Sequence, residues 1–418
     1  MPDSTRDSLP ASQLVCVARD AGEVLGYLVV DTFVAGRSHG GVRMHRDVTA
    51  EEIGLLARTM SLKYAFLGLP FGGAKAGVIG DPEAPLEERR RRLGQFGRAF
   101  AELLRKELFV PAADMGTDHE DIRHLLRQAG VPMQGRRLPA VSSGYYTAHS
   151  VLAGLREMAR SQGRGLAGLK VAIEGFGKVG SQLAELLAQA GARVVAISTS
   201  EGGAYDPAGL EISLLRREQS QLGSRILTKV PLRYRIAAGD LLALPVDALC
   251  PCATVHSIHD GIAQAVQARL LCPGANNPWT ESAASILEGK GALLLPDFAA
   301  NSGGVLGTVM AYACFTPRET ERFIQRQFTR STCWLLERSG REEISLHRAG
   351  EDLIALRRNA HRPDAGRGLL GKVLAAGLAL HRRGMIPGSI VRPLARAYLL
   401  RRLRLPSETR IPARAESP

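Results

Sequence analysis

With 418 residues, 45% hydrophobic and 23% charged, the chain is too long for one ordinary core and too apolar to be disordered, so two globular domains are expected. Its 54 Lys and Arg against 41 Asp and Glu leave a net charge of +13, but more than half of that excess sits in a tail, where residues 381–418 carry nine arginines against Glu408 and Glu416. No aromatic-interleaved basic motif accompanies the tail, so nucleic acid is not an expected partner.

The first twenty residues mix Asp3, Arg6, Asp7, Arg19 and Asp20 with no apolar core segment, which argues against a secretory signal and for a cytoplasmic protein. The apolar run 373–380 is far short of the roughly 20 residues that cross a bilayer, and no membrane span is expected. Six scattered cysteines read as reduced thiols rather than a disulfide framework.

In chain order, residues 24–32 form a strand candidate and 36–43 a glycine-rich connection. Thr49 then offers an N-cap before Glu51 and Glu52, and Ile53, Leu56, Ala57 and Met60 recur at helical spacing, with Lys63 one turn further on. The segment 67–77, with Gly72, Gly73 and Lys75, brings a second lysine back to the same neighbourhood. A lysine held against backbone near another cation has its pKa lowered toward a value useful for acid–base work. A second helix is expected over 86–108, followed by an extended-to-turn stretch, 111–117, that carries Asp114 in an apolar setting.

The pattern changes after Leu169. Residues 171–174 read as a short buried strand, 175–180 as a glycine turn, 181–190 as a helix and 193–197 as a second strand. In that βαβ context Gly175, Gly177 and Gly180 let a dinucleotide pyrophosphate approach the helix N-terminus. An acid about 20 residues on is the usual mark of NAD, but the chain reads Ser198-Thr199-Ser200-Glu201, which leaves NAD and NADP both open. Further strands at 248–250, 270–272 and 292–295, each followed by turn residues, imply a parallel sheet whose crevice Asn276 faces. Cys250 and Cys252 with His256 and His259 raise the question of zinc, yet cysteines one residue apart on a strand point to opposite faces, and no metal is expected.

Taken together, 40–44, Lys63, 70–75, 111–115, 175–180, 274–276 and 301–305 strongly resemble the motifs, in order, of the glutamate/leucine/phenylalanine/valine dehydrogenase superfamily, over about residues 24–315. The resemblance implies an α/β protein of two domains: an N-terminal α/β substrate domain (1–145), a Rossmann-type doubly wound dinucleotide-binding domain (146–300), and a helical C-terminal segment (301–418) that returns to the first domain, with a basic tail from about 381. It implies that Lys75 matches the catalytic lysine, Asp114 the proton-transferring aspartate and Lys63 the lysine that holds the substrate α-carboxylate. Gly41, Met60, His39, Asn301, Val305 and Thr308 complete the implied substrate pocket. Gly175, Phe176, Gly177, Lys178, Val179, Gly180, Thr199, Ala253, Asn276 and Thr147 are the implied contacts of NAD or NADP.

The implied activity is reversible oxidative deamination of an L-amino acid to its 2-oxo acid and ammonia, in a homo-oligomer. His39 stands where glutamate enzymes carry a lysine and leucine-type enzymes an apolar residue, and histidine can be cationic or neutral near pH 7. Thr308 matches a serine of the glutamate enzymes and tilts the expectation toward glutamate, while 30–32 and 79–82 look more like the leucine branch. A branched-chain or other apolar amino acid is one alternative. The other is a catalytically inactive dinucleotide-binding relative with a regulatory role, which His39, the missing strand-end acid and the arginine-rich tail would fit.

Overall fold

A computed structural model describes residues 14–132, 143–361, 369–382 and 385–405. The first sheet comprises β1 (Leu14–Asp20), β2 (Glu23–Val30), β3 (Ser38–His45), β4 (Gly72–Ile79) and β5 (Phe109–Ala113), in the order β1-β2-β4-β3-β5. β3 runs parallel to both β4 and β5, whereas β2 pairs antiparallel with β1 and β4. Against this sheet lie α1 (Ala50–Phe66), α2 (Leu86–Ala99), α3 (Ala101–Arg105) and α4 (His119–Gln128). Thr49 caps α1 by accepting from the Glu52 N–H at 3.2 Å, as its position before two acids predicts.

Two expectations are corrected here. The stretch 36–43 is not a connection: most of it is β3, the strand between β4 and β5. Glycine signals a turn only when its backbone is free, and Gly40 is instead packed so tightly that a Cβ would lie 1.7 Å from the Ala74 carbonyl oxygen. The helix expected over 86–108 breaks at Phe100, whose buried ring packs against Phe96 at 4.8 Å between centroids.

The second sheet is built after α5 (Ser143–Ser161). Its parallel core is β6 (Lys170–Glu174), β7 (Arg193–Thr199), β10 (Ala248–Pro251), β11 (Leu270–Leu271) and β12 (Leu293–Leu294), extended antiparallel by β8 (Gly202–Tyr205) and β9 (Arg235–Ile236). The order is β12-β11-β10-β6-β7-β8-β9, so the chain leaves β6 toward β7 and later returns to its other side through β10. That reversal is the switch point at which doubly wound sheets hold their ligands. The connecting helices are α6 (Gly180–Gln189), α7 (Ile212–Leu222), α8 (Asp260–Ala265), α9 (Glu281–Gly289) and α10 (Asp297–Ala300). Strands β6 and β7 are almost wholly buried and read as continuous apolar runs, as strands covered on both faces do.

The chain ends in α11 (Gly303–Tyr312), α12 (Pro317–Glu342), α13 (Leu346–His361), α14 (Leu369–Arg382) and α15 (Gly388–Arg402). A Thr316–Glu319 capping box and Pro317 at the first turn start α12. Arg357 of α13 is buried and donates to the Phe66 carbonyl at the end of α1 and to the Leu403 carbonyl after α15, tying the C-terminal helices to the first sheet's main helix. Residues 406–418 of the basic tail lie outside the described residues. Among the described residues no helix is long and apolar enough to cross a membrane.

Candidate active site

Strand order brings the first pair of groups together. Lys75 on β4 and Asp114 just past β5 flank the middle strand β3, and their side chains meet over Gly41, with Lys75 Nζ 2.6 Å from Asp114 Oδ2. Gly41 is required by space: a Cβ there would stand 2.8 Å from Asp114 Cβ and 3.1 Å from Lys75 Nζ. Arg43, two residues along β3, adds its Nε at 3.3 Å from the same carboxylate oxygen and pairs through another nitrogen with Glu52 at 2.5 Å.

The electrostatics follow from that packing. Lys75 is only 3% exposed, and burial lowers its pKa, with Asp114 opposing and Arg43 reinforcing the shift. Burial raises Asp114, but the charges of Lys75 and Arg43 outweigh it and hold the carboxyl well below the usual carboxylate range. An amine beside an ionised carboxylate, at a cleft toward which Asp114 is still a quarter open, can hold a proton and hand it across 2.6 Å.

Lys63, in the last turn of α1, reaches the other lobe. Its Nζ donates to Asn276 Oδ1 at 2.6 Å, in the loop after β11. Burial lowers Lys63 toward about 8; the Asp297 carboxylate opposes that shift and the Lys75 charge adds to it. Asn301, between α10 and α11, donates to the Ala275 carbonyl at 2.8 Å and to Asn276 Oδ1 at 3.2 Å. Its own Oδ1 is buried without a partner among the described residues. One turn before Lys63, Thr59 accepts from the side-chain amide of Asn277 at 2.8 Å, and Asp297 accepts from the Asn277 backbone N–H.

His39 lies beside this cluster, packed against Phe71 and Tyr64 with ring centroids 4.7 and 6.1 Å away. Burial, with the Arg37 charge, lowers its pKa to about 4, so it is neutral at pH 7, and its Nδ1 is buried without a partner among the described residues. Met60 on α1 and Val305 on α11 are partly buried against the main core. The Thr308 hydroxyl donates to the Gly304 carbonyl of its own helix, and Thr147 does likewise to Ser143, at the contact of α5 with α11.

The glycine turn fits a dinucleotide. Gly175 has φ +88° and is pressed against Ala253, and Gly180 is pressed against the Gly175 carbonyl, while a Cβ on Gly177 would meet nothing within 4 Å. Gly177 therefore borders open space in front of α6, whose first N–H groups have no side-chain cap. Phe176 is buried beneath the turn, and Lys178 and Val179 lead into the helix. At the end of β7, Thr199 accepts from the Glu201 N–H, and Glu201 accepts from Ser224 at 2.8 Å.

Sequence reading passed over Arg43, Glu52, Thr59, Asn277 and Asp297 as site residues. Arg43 sits inside the 40–44 motif and Asn277 directly after the 274–276 motif, whereas the place of Glu52, Thr59 and Asp297 depends on helix packing that spacing does not reveal.

A dinucleotide turn at a switch point, faced across a cleft by a buried lysine paired with a half-buried aspartate, defines a nicotinamide-dependent oxidoreductase. Residues 143–320 match the family model for Glutamate/Leucine/Phenylalanine/Valine dehydrogenase, and 13–130 match the model for the Glu/Leu/Phe/Val dehydrogenase dimerisation domain. The chain is 33% identical to the glutamate dehydrogenase of Aeropyrum pernix over 70% of its own length and 73% of the relative's. It is also 33% identical to an NAD-specific glutamate dehydrogenase of Bacillus subtilis, over 69% and 71%. The solved hetero-hexameric glutamate dehydrogenase from Thermus thermophilus, in a Leu-bound form, superposes with a TM-score of 0.70 at 26% identity, covering 84% of this chain and 89% of that one. The chain belongs to the glutamate/leucine/phenylalanine/valine dehydrogenase family and is an NAD(P)-dependent amino-acid dehydrogenase.

Proposed function

We propose that the chain catalyses the reversible conversion of L-glutamate, water and NAD(P)⁺ to 2-oxoglutarate, ammonium, NAD(P)H and a proton, with Lys75 and Asp114 as the proton-handling pair. The single observation that supports this most is the 2.6 Å contact of those two groups over Gly41. The 175–180 turn before α6 would hold the cofactor, which would supply the acceptor for the hydride that leaves the substrate Cα. The substrate α-carboxylate pairs with Lys63, displacing Asn276, and the buried Asn301 Oδ1 accepts from the α-ammonium. Asp114 takes a proton from the substrate ammonium and Lys75 takes one from the water that adds to the iminium carbon; Asp114 then returns its proton to the carbinolamine nitrogen, the C–N bond breaks as the hydroxyl loses its proton, and of the hydroxyl proton and the Lys75 proton one makes ammonium and the other goes to solvent.

Glutamate is supported by the names of the relatives. NAD is supported by a turn after β7 that holds Thr199, Ser200 and Glu201 with no cation for a 2′-phosphate. An oligomer is in keeping with the hexameric neighbour and the dimerisation-domain match.

A second reading has its own observation: neutral His39 between Phe71 and Tyr64 is an apolar lining that suits an uncharged side chain better than a carboxylate. Turnover of glutamate, leucine, valine and phenylalanine with each cofactor decides between them. Glutamate with NAD is expected to give the highest kcat/KM. A clear preference for leucine or valine would overturn the glutamate assignment in favour of the second reading.

A further inference from the structure

Glu174 ends β6 directly before the glycine turn, at the centre of the dinucleotide sheet. It is 9% exposed, and its carboxylate accepts from the Ser257 hydroxyl, in the segment after β10, at 2.9 Å. Near it stand the neutral Cys252 thiol, whose pKa burial pushes up to about 12, and, on the far side of the Ser257 hydroxyl, the Pro278 carbonyl at 3.5 Å from that hydroxyl. Among the described residues no cation forms an ion pair with it, and burial raises it to about 7. A buried acid without a counter-ion is costly, and the proposed deamination chemistry gives it no task.

Its position says what would complete it. In a sheet of order β10-β6-β7 the pyrophosphate lies over the turn after β6, and the adenosine ribose lies toward the end of β7. The nicotinamide half therefore extends to the other side, over β10, the side on which Glu174 bonds Ser257 and on which Lys63 meets Asn276. The ring that arrives there is cationic when oxidised and neutral when reduced.

We infer that Glu174 is a specificity-determining residue for the redox form of the cofactor, its carboxylate serving as the counter-ion of the oxidised nicotinamide ring. Binding of the oxidised form to the protonated acid releases one proton to solvent, whereas the reduced form binds with the proton retained. The inference rests on the dinucleotide site described above.

The test measures the Kd of NAD⁺ and of NADH on the full chain between pH 5.5 and 8.5, by calorimetry and by NADH fluorescence, for the wild type and Glu174→Gln. The ratio of NADH affinity to NAD⁺ affinity is expected to fall by up to about tenfold per pH unit as pH rises toward neutrality and then to level off. Calorimetry in buffers of different ionisation enthalpy should show proton release with NAD⁺ alone below that point. Glu174→Gln, an isosteric change, should make the ratio independent of pH. A ratio that is flat in the wild type, or a slope that persists in Glu174→Gln, overturns the inference while leaving the dinucleotide site intact. Failure of both cofactor forms to bind overturns the site and the inference together.

Discussion

At the scale of single residues, the site is governed by where charges are denied water. His39 illustrates this with a measurable sign. In the unfolded chain it takes its proton near 6.5 and in the fold near 4, so below pH 6.5 the unfolded state binds a proton that the folded state refuses. Folding stability should therefore fall with acidification from pH 6.5 to about 4, by up to about 3 kcal/mol from this group alone. His39→Phe, which keeps a ring against Phe71 and Tyr64, should remove that component. Thermal or denaturant unfolding at several pH values would show the wild-type curve descending more steeply than the variant's, and parallel curves would mean that His39 is not held neutral.

At the scale of elements, the site depends on glycines that let three strands and a helix approach one another. Gly177 differs from the others because its missing side chain faces open space in front of α6. Gly177→Ala is thus expected to leave the melting temperature nearly unchanged while weakening dinucleotide binding about tenfold or more, since only a bound pyrophosphate would meet the new methyl. An unchanged Kd would place the phosphates elsewhere. The same elements show what sequence can and cannot convey. The βαβ unit around 171–197 was legible because its apolar runs and glycine turn are local signals, and α1 was legible from its cap and spacing. β3 was not: Gly40 and Gly41 look like a turn, and only the approach of Ala74, Lys75 and Asp114 from neighbouring strands explains why a strand needs glycines there. β1 and β9 were missed because edge strands carry little pattern of their own, and β8 because its four residues, between β7 and β9, are too few to show a period. Lys63, Lys75 and Asp114 were found from motifs, but their convergence is a property of strand order, and the partners Glu52 and Asp297 belong to packing alone.

At the scale of the whole molecule, two hydrogen bonds from one face of α1 bridge the cleft, Lys63 to Asn276 and Asn277 to Thr59. Asn277 holds a left-handed backbone, φ +44°, which asparagine tolerates and glycine adopts freely. Asn277→Gly therefore removes the bridging amide without adding strain. The loss of one such bond, about 1 kcal/mol, should raise the amino-acid KM about fivefold with little change in kcat. Steady-state kinetics that show an unchanged KM would mean the bridge does not help hold the lobes around substrate. The far end of α1 is secured by Arg357, so the helix that carries Thr59 and Lys63 is anchored by the C-terminal helices and bridges to the nucleotide lobe.

In the proposed function Lys75, held 2.6 Å from Asp114, carries the proton chemistry of amino-acid deamination. The most direct measurement of that role is the rate of NADH formation from glutamate and NAD⁺ by the wild type and by Lys75→Ala, with cofactor binding measured on both. The variant is expected to lose about 10²-fold or more in rate with NAD⁺ affinity preserved, and a Lys75→Ala enzyme that turns over near the wild-type rate would exclude Lys75 from the chemistry.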